Sequence, residues 1–206
     1  MEAIYSRHLL PVNRGLQGEG DTLSTTLHPD YAAEPSIARG LKRAVDAGIE
    51  NMAVSAMQGQ FLSVLARGIK AEKVLEIGTL AGYSTTFLAR SLPSHGRLDT
   101  IQSDPLHAET ARRNFIDSAL IPLPTVHVGN ALELLRDPKG AFANPPGTSE
   151  GLPADERGYD LCFIDADKTN YFGYWIEYLR LTRKGGLVVI DNAIQDGSGF
   201  AIAVKL

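Results

Sequence analysis

Short apolar segments alternate with amphipathic segments along most of the chain, and this alternation limits the possible folds more than any other feature of the sequence. Runs rich in Val, Ile or Leu occupy Lys73–Ile77, 98–101, Thr125–Val128, Tyr159–Ile164 and 187–190, the third being the weakest. Runs this short, without strict alternation of apolar and polar residues, are typical of strands buried on both faces of a parallel sheet. Between them, apolar residues recur every three or four positions, as in 84–91 and 106–119. The sequence therefore predicts an α/β fold with a doubly wound, mainly parallel sheet.

The length of the chain, 206 residues, predicts a single domain of ordinary size. We expect residues 1–70 to form a helical cap and residues 71–206 to form the α/β core. Within the cap, 35–67 has a helical pattern, with breaks expected at Gly40, Gly48, Gly59 and Gly68. The segment 137–158 is rich in Gly, Pro and charged residues, so it is expected to be a mobile surface loop inserted before the strand at Tyr159–Ile164.

Charge and cysteine content restrict the class of function. The chain has 20 basic and 24 acidic residues, a net charge of −4, which does not favour binding to a nucleic-acid backbone. The single cysteine, Cys162, lies in an apolar run and cannot form an internal disulfide, which is typical of an intracellular protein. No segment has the pattern of a secretory signal or the length of a membrane span, so we expect a cytoplasmic protein that does not enter the membrane.

A glycine turn follows the first apolar run, in the segment Glu76-Ile-Gly78-Thr-Leu-Ala-Gly82-Tyr83-Ser84. Open α/β sheets bind ligands beyond the carboxyl ends of their strands, and a helix beginning near Ser84 would offer free N–H groups to an anion. The Gly-x-x-x-Gly spacing differs from the Gly-x-Gly-x-x-Gly of dinucleotide-binding proteins, so it favours a ligand carboxylate over a pyrophosphate. By itself the segment is equally compatible with a glycine turn that binds nothing.

Three ordered motifs together resemble the cation-dependent O-methyltransferases, a family that includes catechol and caffeoyl-CoA O-methyltransferases. They are the segment 76–84, Phe163-Ile-Asp165-Ala-Asp167-Lys168 and Val189-Ile-Asp191-Asn192. The resemblance extends upstream to Gly59-Gln60-Phe61 and covers most of residues 52–197. It implies a Rossmann-like fold of the class I methyltransferase type, and transfer of a methyl group from S-adenosylmethionine to a phenolic or catechol-like small molecule.

A candidate metal site is formed by side chains that follow two neighbouring strands. Asp165 comes directly after one apolar run, and the pair Asp191-Asn192 comes directly after the next. Two carboxylates and an amide oxygen suit Mg²⁺, which prefers oxygen ligands. The resemblance implies the same three ligands. The alternative is that Asp165 caps a helix and that Asp191-Asn192 forms a turn.

A candidate general base, Lys168, lies one helical turn beyond Asp165. An ammonium group is less favoured beside a divalent cation, so this lysine is a plausible acceptor for the proton of a phenol. The resemblance gives a lysine here that role and makes Asp165 the second catalytic residue. The alternative is a solvated lysine that pairs with Asp167.

The resemblance also assigns contacts with S-adenosylmethionine. The residues implied are Val54, Glu76, Gly78, Thr79, Tyr83, Ser84, Gln102, Ala131 and Asp167. The family has an acidic side chain at position 102 to bind the ribose diol, whereas this chain has Gln102, whose amide is a weaker acceptor. We therefore expect a reduced affinity for the cofactor unless Asp104 replaces the missing carboxylate.

Aromatic residues near these motifs are candidates for the wall of an acceptor pocket. They are Tyr83, Tyr171, Phe172, Tyr174 and Trp175. Phe172 and Trp175 lie at helical spacing, which favours a place in the core for these two.

Two other functions remain open from the sequence. Relatives of the family methylate a hydroxylated uridine in transfer RNA, although the acidic balance of this chain does not favour that substrate. A catalytically impaired relative that binds a ligand or partner is the second, because of Gln102 and the short segment after Asp191. Residues 199–204 resemble the family's last strand, so we expect shortened C-terminal sheet elements, an exposed sheet edge and loss of the contacts through which the family forms homodimers.

Overall fold

A computed structural model of the protein describes residues 35–50, 52–193 and 199–206. The predicted helical cap is described only from residue 35 onward, so residues 1–34 of that prediction lie outside the described part. The helices are α1 (Pro35–Asp46), α2 (Ala56–Gly68), α3 (Tyr83–Ala89), α4 (Pro105–Asp117), α5 (Ala131–Arg136) and α6 (Tyr171–Leu181), with a 3₁₀ turn at Lys168–Asn170. The strands are β1 (Lys73–Ile77), β2 (Arg97–Gln102), β3 (Thr125–Val128), β4 (Tyr159–Ile164), β5 (Thr182–Ile190) and β6 (Ala201–Val204).

The six strands form one mainly parallel sheet in the order β3-β2-β1-β4-β5-β6. Strands β1 to β5 run parallel, and β6 pairs antiparallel with β5. The predicted α/β class with a doubly wound, mainly parallel sheet is confirmed. In the register of the sheet, Ile77 pairs with both Ile101 and Ile164, and Ile164 pairs with Ile190. Four strands therefore end at one level, and the polar residues that follow them meet there.

Strand residues alternate between two apolar layers, one on each face of the sheet. Val74 packs with α2, α3 and α4, whereas its neighbour Leu75 packs with α5 and α6. On β4, Leu161 and Cys162 divide between the layers in the same way, and both are fully buried. Each fully buried aliphatic side chain stabilises the fold by roughly 1.5–3 kcal/mol, so burial on both faces accounts for the continuous apolar runs.

Two of the four expected helix breaks are wrong. Gly40 lies inside α1 and Gly59 inside α2. A Cβ on Gly40 would lie 3.2 Å from the side chain of Asn114, and one on Gly59 would lie 2.7 Å from the ring of Phe87. These glycines are therefore places where other helices approach closely, and the packing outweighs the low helix propensity of glycine.

The segment 137–158 is a loop, but its first part is anchored rather than mobile. Phe142 is only 1% exposed, and its ring lies 4.8 Å from that of His127. The guanidinium group of Arg180 donates hydrogen bonds to the carbonyl oxygens of Phe142, Ala143 and Leu135. The expectation of a mobile loop overlooked the isolated aromatic residue in this Gly- and Pro-rich segment.

The C-terminal strands differ in length from the prediction. The pattern places the fifth run at 187–190, whereas β5 begins at Thr182 and shifts register against β4 between Tyr159 and Leu161. The expected closing strand is present as Ala201–Val204. Residues 194–198, which precede it, lie outside the described part of the chain. None of the described helices has the length and apolar character needed to cross a bilayer.

Candidate active site

A cavity of about 860 Å³ opens at the carboxyl ends of the strands. Its walls come from the segment before α2, from the turns after β1, β2, β3, β4 and β5, and from the start of α6. The lining residues are 52–54, 77–80, 83–84, 101–104, 107, 129–131, 165–167, 170, 174 and 192. The position agrees with the general rule for open α/β sheets, in which ligands bind beyond the carboxyl ends of the strands.

The structure brings most of the predicted site residues to this cavity. Those on its wall are Val54, Gly78, Thr79, Tyr83, Ser84, Gln102, Ala131, Asp165, Asp167 and Asn192. Three predicted residues are not on the wall: Glu76, Lys168 and Asp191. Glu76 and Asp191 are hydrogen-bonded to the wall residues Ser84 and Asn192, whereas Lys168 follows the wall residue Asp167 in the sequence.

Glu76 lies beneath the cavity and is fully buried. Its carboxylate accepts hydrogen bonds from the hydroxyl groups of Ser84 (2.7 Å), Thr85 (2.5 Å) and Thr100 (2.7 Å). Burial raises the pKa of Glu76 above its usual value, while the three hydroxyl donors act in the opposite direction. Through Ser84, Glu76 positions the wall of the cavity without being part of it.

The turn after β1 has an unusual backbone. Gly78 has φ +100°, Gly82 has φ +84°, and Leu80 between them has φ +46°, a conformation that side-chain-bearing residues rarely adopt. Gly82 is the residue that precedes α3. Because glycine has no side chain, it provides no side-chain cap for the first N–H groups of that helix. Non-glycine residues in this backbone region are concentrated at functional sites.

Two carboxyl groups lie close together at the end of the cavity nearest β4 and β5. Burial, followed by the charges of Asp191 and Glu76, raises the pKa of Asp165 to about 7. Burial raises the pKa of Asp191 to about 6, against the opposing effects of the Asn192 N–H and the charge of Lys168. The Asp165 carboxylate accepts no hydrogen bond from any described residue. Two close carboxylates, one without a donor, are an arrangement that a cation would stabilise.

The donor set at this end fits a divalent cation that prefers oxygen. No group of three or more His, Cys, Asp or Glu side chains in the described ranges could hold a metal ion. The Asn192 amide, which lines the cavity and whose backbone has the left-handed φ of +52°, is the third ligand that the resemblance implies. Two carboxylates with one amide leave coordination positions for water and substrate, as expected for Mg²⁺.

The alternatives raised by the sequence are met only in part. Asp165 caps no helix, because the 3₁₀ turn begins after Asp167. Asp191 and Asn192 do form a turn, in which the N–H of Asn192 donates to Oδ1 of Asp191 at 2.7 Å. A turn of this kind holds the two side chains in place and does not exclude a ligand role.

Lys168 is exposed and forms no ion pair with a described residue, so the alternative pairing with Asp167 is not observed. Asp167 instead accepts hydrogen bonds from Asn170 (2.6 Å) and from the hydroxyl group of Tyr174. Lys168 lies near enough to Asp191 for its charge to favour the ionised carboxylate. It stands beside the acidic end of the cavity, outside the wall itself.

Gln102 lies on the wall beside Ser103 and Asp104. Its Oε1 accepts hydrogen bonds from the N–H of Asp104 at 3.2 Å and from the hydroxyl of Ser103 at 3.3 Å. Asp104 is the N-cap of α4, and its Oδ1 accepts from the N–H groups of Leu106 and His107. The carboxylate of Asp104 therefore caps a helix, and it is not free to replace an acidic side chain at position 102.

The aromatic residues are divided between the wall and the surface. Tyr83 and Tyr174 line the cavity. Tyr171 donates a hydrogen bond to the carbonyl oxygen of Asp191 at 3.1 Å, and burial raises its pKa to about 12. Trp175 packs partly buried against the core, but Phe172 is 72% exposed, so its predicted place in the core is wrong.

Several wall residues were not predicted from the sequence. They are Met52, Ala53, Ile77, Leu80, Ile101, Ser103, His107, Gly129, Asn130, Ala166 and Asn170. Gly129-Asn130 follows β3 directly, and Asn130 caps α5 by accepting from the N–H of Glu133. Position after a strand, the signal that identified Asp165, would have identified these two as well.

The cavity has an acidic wall. Its charged side chains are Asp104, Asp165 and Asp167, and the lining contributed by the described residues includes no Lys or Arg. Buried Glu76 adds a fourth carboxyl group beneath it. Such a wall favours a ligand that carries positive charge and disfavours a polyphosphate or a nucleic-acid backbone, which require basic partners.

Comparisons with known proteins show the family of the chain. The profile of a family described as O-methyltransferase matches residues 30–203. A catechol O-methyltransferase of Niastella koreensis is 41% identical over 152 residues, which cover 74% of this chain and 63% of that protein. A catechol O-methyltransferase of Mycobacterium tuberculosis is 41% identical over 175 residues, which cover 85% of this chain and 71% of the relative. The chain thus spans less than two thirds of the length of the Niastella protein.

Solved structures extend the comparison from sequence to fold. The O-methyltransferase from Bacillus cereus in complex with SAH is similar to this chain with a TM-score of 0.71 and 32% sequence identity. The similarity covers 87% of this chain and 74% of that one. The comparison therefore includes most of this chain.

Proposed function

The chain belongs to the O-methyltransferase family, and from this membership we propose that it transfers the methyl group of S-adenosylmethionine to a hydroxyl oxygen of a phenolic or catechol-like small molecule, assisted by a divalent cation. The relatives named as catechol O-methyltransferases support this acceptor class. The structural relative in complex with SAH, the demethylated product, supports the methyl donor.

The acidic wall of the cavity carries the proposal. S-adenosylmethionine has a sulfonium and an ammonium group. Both are positive charges that would be attracted by a wall whose described residues include three carboxyl groups and no Lys or Arg. A nucleotide cofactor would instead meet repulsion at its phosphates. The same wall does not favour transfer RNA as the acceptor.

Asp165, Asp191 and Asn192 would hold the cation, for which Mg²⁺ is the best match to an all-oxygen donor set. When bound, the cation supplies a Lewis acid that lowers the pKa of a coordinated hydroxyl group. Without it, burial and then the charge of Asp191 raise the pKa of Asp165 to about 7. The ligand residues follow adjacent parallel strands, so the sheet fixes their separation.

The protein's remaining contributions are positioning and proton removal. The reaction forms an oxygen–methyl bond, leaves the electron pair of the broken carbon–sulfur bond on sulfur, and releases the proton of the acceptor hydroxyl. Lys168, beside the acidic end of the cavity, would accept that proton as a neutral amine, a form that a neighbouring divalent cation would favour, and solvent would then remove the proton. The wall formed by Tyr83 and Tyr174 would hold an aromatic acceptor in line with the methyl group.

A calorimetric titration tests the proposal. S-adenosylmethionine is titrated into the purified protein with and without Mg²⁺, and adenosine triphosphate is titrated as a matched ligand of opposite charge. We expect heat of binding for S-adenosylmethionine and none for the triphosphate in the absence of metal. No heat with S-adenosylmethionine under either condition would contradict the proposal. Binding of the cofactor without subsequent turnover would instead support the catalytically impaired alternative.

A further inference from the structure

Gln58 connects the first turn of α2 to the acidic end of the cavity. The helix begins with a capping box, in which the Ser55 hydroxyl accepts from the N–H of Gln58 at 3.2 Å and Oε1 of Gln58 accepts from the N–H of Ser55 at 2.8 Å. This arrangement fixes the orientation of the Gln58 amide, because its oxygen must face the Ser55 N–H. The amide nitrogen therefore points away from the helix.

That nitrogen donates a hydrogen bond to Oδ1 of Asp191 at 3.1 Å, across 133 residues of sequence. The same Oδ1 also accepts from the N–H of Asn192 at 2.7 Å. Asp191 is 4% exposed, so these two donors are not exchanged freely with water. No described residue donates to the other carboxylate oxygen, Oδ2.

We propose that Gln58 is a positioning residue that occupies Oδ1 of Asp191 and thereby leaves this carboxylate a single oxygen, Oδ2, with which to bind a cation. The inference rests on the proposed function, since it concerns the cation held by Asp165, Asp191 and Asn192. A carboxylate limited to one oxygen suits Mg²⁺ and Mn²⁺, which require six ligands in octahedral geometry. Ca²⁺ takes six to eight oxygens and gains from carboxylates that bind through both. Gln58 therefore favours the smaller cations.

Glutamine makes both hydrogen bonds of this position: it accepts one from the N–H of Ser55 and donates one to Asp191. Side chains of similar size make only one of them or neither. Glutamate could accept from the N–H of Ser55 and so preserve the capping box, but it would place a carboxylate oxygen against Oδ1 of Asp191 instead of a donor. Methionine has a similar length and makes neither hydrogen bond. These two substitutions therefore separate the donor to Asp191 from the cap.

The experiment measures the affinities of the protein for Mg²⁺ and Ca²⁺ by calorimetric titration, without cofactor or acceptor. The variants are Gln58→Met and Gln58→Glu, with Ser55→Ala as the matched control. Ser55→Ala removes one hydrogen bond of the same cap but retains the donor to Asp191. Circular dichroism and the midpoint of thermal unfolding establish that each variant is folded.

We expect Gln58→Met to bind Mg²⁺ about tenfold more weakly and to lose its preference for Mg²⁺ over Ca²⁺, because loss of a hydrogen-bond donor to a metal ligand typically changes metal affinity by roughly 10–100-fold. Gln58→Glu should shift the preference in the same direction, and Ser55→Ala should keep that of the wild type. An unchanged Mg²⁺-to-Ca²⁺ ratio in both Gln58 variants would overturn the inference, as would an equal change in Ser55→Ala. Absence of any cation binding by the wild type would overturn the proposed function as well.

Discussion

The backbone of Gly78 lies directly against the carbonyl group of Asp165, so close that a Cβ on residue 78 would stand 1.7 Å from that oxygen. The N–H of Asp165 donates to the carbonyl oxygen of Ile77 at 2.9 Å, which brings the two chain segments together. The turn expected to bind the cofactor and the first expected metal ligand are therefore in direct backbone contact. The expected cofactor turn and the expected metal ligand are thus joined where β1 and β4 end side by side.

Gly78→Ala is expected to destabilise the protein by ~3 kcal/mol or more, because the added methyl group meets backbone atoms that cannot move aside and the φ of +100° disfavours alanine. The matched control is Gly151→Ala, where φ is +71° and nothing lies within 4 Å of the added Cβ. Gly151→Ala should lower the free energy of unfolding by about 1 kcal/mol. Chemical denaturation gives both values, and equal losses would contradict the close contact at Gly78.

Asp165→Asn is expected to stabilise the metal-free protein at neutral pH. The carboxylate has no hydrogen-bond donor among the described residues and lies near the charges of Asp191 and Glu76, so its removal relieves repulsion. A gain of about 1 kcal/mol would raise the thermal midpoint by roughly 2–4 °C. The measurement is thermal unfolding in the presence of a chelator.

Addition of Mg²⁺ supplies the second half of this test. The wild type should gain stability with increasing Mg²⁺, because a ligand that binds only the folded state shifts the unfolding equilibrium. Asp165→Asn should gain much less. A variant that is less stable than the wild type in chelator and responds equally to Mg²⁺ would contradict the role given to Asp165.

Gln102→Glu is expected to increase the affinity for S-adenosylmethionine about tenfold, or ~1.4 kcal/mol, because a charged acceptor binds a ribose hydroxyl more strongly than an amide. One carboxylate oxygen of the new side chain can still accept from the N–H of Asp104, as Oε1 of Gln102 does. The second oxygen would face the cavity.

Gln102→Met provides the comparison, since methionine is similar in size and offers neither oxygen nor N–H. Its affinity for S-adenosylmethionine should fall below that of the wild type. Calorimetry measures all three dissociation constants. The same constant for Gln102→Glu and the wild type would show that position 102 does not bind the ribose.

Asp99 should make stability depend on pH in the acidic range. It is 1% exposed and accepts hydrogen bonds from His127 (2.8 Å), Tyr159 (2.8 Å) and Arg97 (2.5 Å). Burial raises the pKa of Asp99, but the hydrogen bonds from His127 and Arg97 outweigh burial and hold it below its usual 3.8. Because the folded-state pKa is the lower one, the stabilisation is complete above pH 3.8 and is lost as the pH falls through the folded-state value.

Asp99→Asn is therefore expected to lower the free energy of unfolding by about 2–3 kcal/mol at neutral pH. The difference in this free energy between the variant and the wild type should shrink as the pH falls below about 4. Asp46→Asn is the control, because Asp46 is exposed and pairs only with Lys42 within its own helix. That variant should stay within about 0.5 kcal/mol of the wild type. Urea denaturation across the acidic range measures both, and a constant difference for Asp99→Asn would contradict the assigned pKa.

Most strands of the sheet could be predicted from the sequence because β1, β2, β4 and the second half of β5 are largely buried on both faces. The bounds of β1, β3 and β4 agree with the apolar runs, and Gly78 and Asp165 were located by their position after a strand. The rule that ligands bind beyond the carboxyl ends of parallel strands needs only the strand ends, so most of the cavity wall followed from it.

Features that depend on packing between distant segments could not be predicted in this way. Gly59 lies inside a helix and is a glycine because the ring of Phe87 leaves no room for a Cβ. No local sequence pattern indicates that neighbour. The hydrogen bond from Gln58 to Asp191 joins residues 133 positions apart. Glu76 shows a related difficulty, since its position in the motif suggested a contact with the ligand, whereas the structure places three hydroxyl groups around its carboxylate.

The transfer of a labelled methyl group from S-adenosylmethionine to catechol tests the central claim most directly. The assay compares the wild type with Mg²⁺, the wild type with a chelator, and Asp165→Ala with Mg²⁺, after calorimetry has established that all three bind the donor. We expect methylated catechol only from the wild type with Mg²⁺. Equal rates in chelator, or full activity of Asp165→Ala, would contradict it.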